Sequence, residues 1–130
     1  MKFSSTLLDS LSAQARENTR LRQNFDLRNS PEDKSQRMLN AMESGTILPV
    51  HRHRGSSETV VVIRGAIRNN IYDDSGTLLE SYEVRPGGDV VGFSVPAGTW
   101  HRAEALEPGT VILECKDGAW EPLGEEDILL

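Results

Sequence analysis

The stretch HRHRGSSE, residues 51–58, contains two of the three histidines in this 130-residue chain. In a β-strand, residues two apart point to the same face with Cα atoms ~6.6–7 Å apart. The imidazoles of His51 and His53 can therefore converge on one ion. A turn through RGSS would bring Glu58 alongside them at the start of the next strand. Two histidines and a carboxylate suit Fe(II) and related transition metals, so the stretch predicts a metal site on β structure.

From Gly45 onward, short β-rich segments alternate with turns. The run ETVVVIRG ends in glycine, and AIRNNIY alternates and pairs with TLLESYEV through the turn DDSG. RPGGD and EPG mark two further turns. Short strands at this spacing, punctuated by glycine and proline, indicate a β-sandwich or barrel. The third histidine, His101, follows PAGTW at the end of a turn, and closure into a barrel could bring it to the same ion as a fourth ligand.

The first 36 residues have a different character. Leucine and alanine recur at three- and four-residue steps after Ser4 and Ser5, which predicts a short amphipathic helix. ENTRLRQNFDLRNS lacks periodicity and is interpreted as an extended loop. SPEDK, with Ser30 as cap, predicts the start of another short helix. Residues 37–42 (RMLNAM) fit a helix or a strand, and the β pattern downstream favours a strand. We expect residues 1–36 to form a helix and loop extension that packs on one domain of residues 37–130.

The composition is that of one soluble globular domain. The formal charge of −6 and the pI near 5.0 argue against a nucleic-acid or anionic-membrane surface. A single cysteine, Cys115, excludes an intrachain disulfide and is expected to be an inert core residue. The amino terminus lacks the apolar core of a signal peptide, and no window approaches the ~20 apolar residues of a membrane span. The expectation is a cytoplasmic protein without a nucleic-acid or membrane partner.

The spacing of these residues resembles the signature motifs of the cupin superfamily. Gly45-x5-His51-x-His53-x4-Glu58-x6-Gly65 matches the first motif at every fixed position. Pro96-x-Gly98-x2-His101 matches the second motif in part, because Val90 replaces its leading glycine and Ala105 its trailing asparagine. The resemblance implies an all-β double-stranded β-helix, or jelly roll, with a divalent metal inside the barrel. Its ligands would be His51, His53, Glu58 and His101.

Three further segments look like the WbuC-type family of cupin-fold metalloproteins. They are QRMLNAMESGTILPVHRH, VPAGTWHRAEAL and ECKDGAWEP, and the likeness covers about residues 20–130. Genes of that family occur in clusters for bacterial surface polysaccharides such as lipopolysaccharide, and its reaction is unassigned. Related small cupins are usually homodimers, which implies the same assembly here. Fe, Mn, Ni, Co and Zn all tolerate a site of three nitrogens and one oxygen.

Other side chains are candidates for contact with a small-molecule substrate. The loop residues Arg20, Arg22 and Asn24 could close over the barrel mouth and bind an anionic group such as a sugar phosphate. Trp100 could roof the pocket, whereas Arg52 and Arg54 alternate with the histidines and are expected at the surface or a dimer contact. The candidate general acids or bases are Glu58, Glu104 and Glu114.

Three functions are compatible with such a site. The first is a metal-dependent isomerase or epimerase acting on a sugar or sugar nucleotide, in which the ion polarises a carbonyl and a carboxylate moves the proton. The second is an Fe(II)-dependent dioxygenase. The third is a non-catalytic module that binds its ligand through the metal. The sequence alone leaves these three open.

Overall fold

The computed structural model describes residues 1–129, and in this part of the chain eight strands form two antiparallel sheets. The five-stranded sheet has the order β1-β2-β8-β3-β6, and the three-stranded sheet has the order β5-β4-β7. Together they make the expected all-β jelly roll with a short N-terminal helix. The elements are α1 (Ser5–Glu17), β1 (Arg22–Asp26), β2 (Ser35–Met42), β3 (Glu58–Arg64), β4 (Ile67–Tyr72), β5 (Leu78–Val84), β6 (Gly92–Val95), β7 (Trp100–Ala105), β8 (Thr110–Asp117) and a 3-10 turn, Glu125–Asp127.

The predicted N-terminal helix is present as α1. It begins after Ser4, whose hydroxyl accepts a hydrogen bond from the backbone N–H of Leu7 at 3.2 Å, as an N-cap residue does. Its apolar face covers the outer side of the five-stranded sheet. The buried residues of this contact are Leu8, Leu11, Ala15, Leu39, Ala41 and Val111. Among residues 1–129, no helix combines the length and apolar character that crossing a bilayer would require.

The interpretation of the following segment as loop and short helix is wrong. Residues 22–26 form the edge strand β1, which pairs antiparallel with β2. The sequence of β1 does not show the alternation of apolar and polar residues that is typical of a strand. One face of β1 meets a cavity that carries polar groups, and the other face meets α1, where Phe25 packs. SPEDK forms a turn closed by a hydrogen bond from the Asp33 N–H to the Ser30 carbonyl at 3.1 Å. Residues 37–42 lie in strand β2, as the downstream pattern favoured.

Alternate side chains of strand β8 face the barrel interior and the helix α1. Ile112 and Glu114 face the barrel interior, whereas Val111 and Leu113 face α1. The prediction that Cys115 is a core residue is wrong, since its side chain is exposed. It shares the outer face of β8, but the helix-covered cluster ends before it reaches this position.

The barrel interior is apolar at one end and polar at the other. The apolar floor joins both sheets and contains the buried residues Met42, Val60, Val62, Ile67, Val84, Ala105 and Ile112. Burial of this floor supplies the hydrophobic stabilisation that holds the sheets together. The polar end contributes little to this stabilisation and can therefore contain histidines, amides and charged groups. The candidate site lies at this end.

A prediction for stability concerns Gly65, which ends β3 with φ +83°. A Cβ at this position would lie 2.8 Å from the Thr110 Cα, so Gly65→Ala combines a left-handed conformation with a backbone clash. Gly87 has φ +73° and nothing within 4 Å of the position that a Cβ would take, so Gly87→Ala tests the conformational cost alone. We expect losses of about 3 kcal/mol or more for Gly65→Ala and about 1 kcal/mol for Gly87→Ala in urea unfolding. Equal losses would contradict the packing argument.

Candidate metal centre

The four residues expected as ligands come together at the polar end of the barrel. Nitrogen atoms of His51, His53 and His101 and an oxygen of Glu58 all lie within 4.8 Å of one another. Glu58 is the first residue of β3, and His101 is the second residue of β7. His51 lies outside the named strands but forms a bridge with His101, with backbone N···O distances of 3.1 and 2.9 Å. The two motifs are therefore joined through the backbone.

Backbone carbonyls orient two of the imidazoles. The Nδ1 of His51 donates to the Pro49 carbonyl at 3.0 Å, and the Nδ1 of His101 donates to the Thr99 carbonyl at 2.9 Å. The Nε2 atoms of both rings then face the cluster, which is the orientation found in metal-bound histidines. The Nε2 of His53 is buried without a hydrogen-bond partner among the described residues. Three imidazoles, one of them with an orphaned nitrogen, and one carboxylate fit a divalent transition metal.

Burial and mutual charge set the protonation of the cluster. Burial, and then the charge of Lys116, lowers the pKa of His53 to about 4. Burial and the neighbouring His101 also lower the pKa of His51. Burial alone would lower the pKa of His101, but its hydrogen bond to Glu58 outweighs burial and raises that pKa. Burial would raise the pKa of Glu58, but the hydrogen bond from His101 and the charge of Lys116 hold it well below its ordinary value.

His101 and Glu58 form a buried hydrogen-bonded pair within the cluster. The Nε2 of His101 lies 3.3 Å from the Glu58 Oε2, and the Nε2 of His53 lies 3.6 Å from the same oxygen. Only 7% of Glu58 and 4% of His101 are exposed, so solvent does little to stabilise either charge. The lowered pKa of Glu58 favours its carboxylate form, and the raised pKa of His101 favours the imidazolium that pairs with it. His51 and His53 are neutral at pH 7 and need lose no proton to act as ligands.

The cluster opens onto a cavity of about 960 Å³. This volume lies near the upper end of the range of small-molecule sites. Strands β1, β2 and β8 and the residues before β1 contribute a polar wall, and β4 contributes Asn69 from the opposite sheet. The polar and charged residues of the wall are Arg20, Arg22, Asn24, Gln36, Asn40, Glu114 and Lys116.

Glu114 is the carboxylate in this cavity that is suited to proton transfer. It lies on the inner face of β8 between Met38 of β2 and Val60 of β3. Burial, and then the negative charge of Glu58, raises the pKa of Glu114 to about 7. A carboxyl group with this pKa is partly protonated at neutral pH and can donate or accept a proton. The two glutamates therefore differ in charge state within one cavity.

The other residues predicted for substrate contact or proton transfer fall into two groups, those that line the cavity and those that do not. Arg20, Arg22 and Asn24 line the cavity as expected, although from an edge strand and the residues before it. Trp100 does not line the cavity; it is buried on the outer face of β7, where the Arg52 guanidinium lies 4.4 Å from its ring centroid. Glu104 is exposed and also lies outside the cavity lining. Neither Trp100 nor Glu104 is thus positioned to contact a ligand in the cavity.

The C-terminal segment forms part of the cavity mouth, a feature that the sequence did not reveal. Asp127 accepts hydrogen bonds from the Nε atoms of Arg52 at 3.0 Å and Arg54 at 2.7 Å. The Leu129 N–H donates to the Val50 carbonyl at 2.8 Å, which ties the segment to the strand region that carries the first two histidines. Trp120 belongs to this rim and is 59% exposed. Side-chain and backbone hydrogen bonds therefore hold the C-terminal segment at the cavity mouth.

Asn40 and Asn69 are also cavity residues that sequence reasoning missed. The signal was present, because each asparagine interrupts an apolar face of a predicted strand. Asn40 follows Met38 on the inner face of β2, and Asn69 follows Ile67 on the inner face of β4. A polar residue on the core face of a strand is a candidate for ligand contact.

The fold and the four-residue centre are those of a cupin-fold protein. By sequence, the chain belongs to the family described as a domain of unknown function (DUF6016), whose model matches residues 3–84. No curated protein matches the sequence.

Several solved structures share the fold. KdgF from Halomonas sp. is 20% identical with a TM-score of 0.61, and the match covers 76% of this chain and 82% of that one. Oxalate decarboxylase of Bacillus subtilis, which has Mn(II) centres, is 25% identical with a TM-score of 0.57, covering 77% of this chain. An oxalate oxidase in complex with glycolate is 19% identical with a TM-score of 0.62, covering 82% of this chain. The chain spans 26% of the decarboxylase and 55% of the oxidase.

A prediction for pH dependence follows from the raised pKa of His101. A metal must displace the proton that this imidazole shares with Glu58, so binding below the raised pKa releases a proton. Release declines above the raised pKa, and metal affinity increases as the pH rises toward that value. Calorimetric titration with Zn²⁺ in two buffers of different ionisation enthalpy measures the release. A titration at pH 9 is the control, and absence of release at pH 6.5 would contradict the assignment.

Proposed function

We propose that this protein is a cupin metalloprotein that binds one divalent transition metal and acts on a small polar metabolite, a sugar or sugar nucleotide. The ligands are His51, His53, Glu58 and His101. The observation that carries the proposal is the convergence of these four side chains, within 4.8 Å, on the wall of a large cavity lined by polar and apolar residues. A structural metal site has no need of such a cavity, whereas a site that binds a substrate does.

The reaction best supported is a proton transfer at a carbon next to a carbonyl, as in an isomerase or epimerase. A bound divalent ion would supply Lewis acidity toward a substrate oxygen. Glu114 would move the proton, because its pKa of about 7 allows both protonation states at neutral pH. Glu58 is less suited to this role, since it is ionised and engaged with His53 and His101.

The setting expected from the motif-level resemblance is part of the same proposal. A WbuC-type protein of surface-polysaccharide metabolism would meet sugar nucleotides and sugar phosphates, which are anionic. Arg20 and Arg22 line the cavity, and neither forms a salt bridge with any described residue. They support an anionic substrate. A cytoplasmic homodimer is the assembly that we propose.

A prediction for metal content tests the first half of this proposal. Protein purified without added metal should contain about one equivalent of a transition metal per chain by elemental analysis. Glu58→Gln removes the anionic ligand and should weaken metal binding roughly 100-fold or more, the upper end of what even outer-shell partners contribute. Glu104→Gln is the matched control, because it makes the same chemical change outside the cavity. Equal metal content in the two variants would exclude the assigned ligand set.

A prediction for proton exchange tests the second half. Metal-loaded protein is incubated in D2O with a panel of sugars and sugar nucleotides, and loss of carbon-bound proton signals is followed by NMR. We expect exchange with at least one member, a loss of about 100-fold or more in Glu114→Gln, and an unchanged rate in Glu104→Gln.

The same samples distinguish the alternative functions. Oxygen uptake without proton exchange would replace the proposal with a dioxygenase. Saturable binding with neither exchange nor oxygen uptake would replace it with a non-catalytic binding module.

A further inference from the structure

We infer that Asn40 and Asn69 form a hydroxyl-binding subsite, and that Arg22 holds the acidic group of the same ligand. The ligand class is a hexose-sized, polyhydroxylated molecule that carries one carboxylate or phosphate. This inference rests on the proposed function in that it names the substrate class of the same cavity. It assigns recognition to three residues that are not metal ligands.

The two asparagines are buried on opposite sides of the cavity. Asn40 is 6% exposed on β2 of the five-stranded sheet, and Asn69 is fully buried on β4 of the three-stranded sheet. The Oδ1 of each has no hydrogen-bond partner among the described residues. The Nδ2 of Asn69 donates to the Tyr82 hydroxyl at 2.9 Å, which leaves the oxygen for another donor. A buried amide oxygen without a partner costs folding free energy, and a ligand hydroxyl would recover it.

Both amides lie one step from groups that the proposed reaction uses. Asn69 is diagonal to His101 across the β4–β7 pair, and Asn40 is diagonal to Glu114 across the β2–β8 pair. Diagonal neighbours in an antiparallel pair are ~7–8 Å apart, about the span of a few bonded atoms. A hydroxylated ligand held between the metal centre and Glu114 would therefore have both amides within the span of a few bonded atoms.

Arg22 supplies the complementary donor. It lies on β1, lines the cavity, and has a buried Nη1 without a hydrogen-bond partner among the described residues. Burial, and then the nearby charge of Arg20, lowers the pKa of the Arg22 guanidinium. Arg28, just beyond the same strand, is instead paired with Asp26 through bonds of 2.9–3.1 Å. An arginine that is partly buried without such a partner is suited to bind an anion from solution.

These groups select for one combination of ligand chemistry. The amide oxygens require hydrogen-bond donors, and Arg22 requires an acceptor with negative charge. A neutral sugar would leave the guanidinium without its acceptor, and a dicarboxylate without hydroxyls would place oxygens against the two amide oxygens. A polyhydroxylated anion satisfies all three residues. The cavity of about 960 Å³ has room for it.

The test is calorimetric binding to metal-loaded protein. D-Glucuronate and α-D-glucose 1-phosphate are the probes, and they distinguish a carboxylate from a phosphate; D-glucose and succinate are the controls. We expect at least one probe to bind more tightly than both controls. Asn40→Leu and Asn69→Leu should each weaken that probe about tenfold, and Arg22→Gln should remove its advantage over D-glucose.

Asn70→Leu is the matched control variant. Asn70 is adjacent on β4, is 9% exposed, and also has an unpartnered Oδ1, but it does not line the cavity. Its substitution should leave probe affinity unchanged. The inference is overturned if neither probe binds, if Asn70→Leu weakens binding as much as Asn40→Leu, or if both cavity variants bind normally.

Two further measurements separate recognition from structure and from metal binding. Asn40→Leu removes an orphaned oxygen and also the amide that hydrogen-bonds Glu114, two changes with opposite effects on stability. Its thermal midpoint should therefore stay close to that of the wild type while its affinity falls. A lower midpoint with unchanged affinity would overturn the inference in favour of a structural role. Should Asn69→Leu fail to fold, Asn40→Leu and Arg22→Gln carry the test.

Metal content, measured on every variant, should match the wild type. If the wild type binds no metal, the proposed function fails, and the dependence of probe binding on Asn40 and Arg22 in metal-free protein still judges this inference separately.

Discussion

The site depends on a short backbone ladder between two segments that are distant in the sequence. His51 and His101 exchange two hydrogen bonds, and the Gly98 N–H donates to the His53 carbonyl at 2.8 Å. These bonds fix the imidazoles of His51 and His101 with their ring centroids 4.4 Å apart. Because the ladder belongs to the backbone, the convergence of the histidines does not require an ion to draw them together. The site is preorganised, which lowers the cost of binding a metal.

Preorganisation brings charged groups into a poorly solvated space. The environment of the cavity shifts the pKa values of its two carboxylates, Glu58 and Glu114, in opposite directions. Glu58 is stabilised as an anion by His101 and Lys116, whereas burial and the charge of Glu58 keep Glu114 partly protonated. Pairs of titratable groups whose pKa values are driven apart are typical of sites that divide electrostatic and proton-transfer roles. The register produces this division, because Lys116 lies directly opposite Glu58 and Glu114 lies one step further along β8.

Local spacing predicts closed β structure and a possible metal site, and the resemblance to the cupin motifs adds the jelly roll and the set of four ligands. In extended backbone, residues two apart, such as His51 and His53, point to the same face. Turns at regular intervals imply a closed β structure. The polar wall could not be predicted in this way. The segment that contains Arg22 lacks an apolar period because its inner face meets a cavity, so its sequence pattern is that of a loop. Cys115 lies on the same strand face as Val111 and Leu113. It is exposed because α1 does not extend over this position, and how far the helix extends over the sheet is a property of the tertiary structure.

The net charge of −6 and the recognition of an anion are compatible, because the two act over different distances. At physiological ionic strength the Debye length is about 8 Å, so solvent-exposed charges further apart than this are largely screened from one another. The guanidinium of Arg22 is partly buried in the cavity, and the proposed ligand would meet it at contact distance, where screening is weak. One acid at the cavity mouth, Asp127, is already paired with Arg52 and Arg54. A protein that is acidic as a whole therefore has a local preference for an anion, and it is the local field that a ligand in the cavity meets.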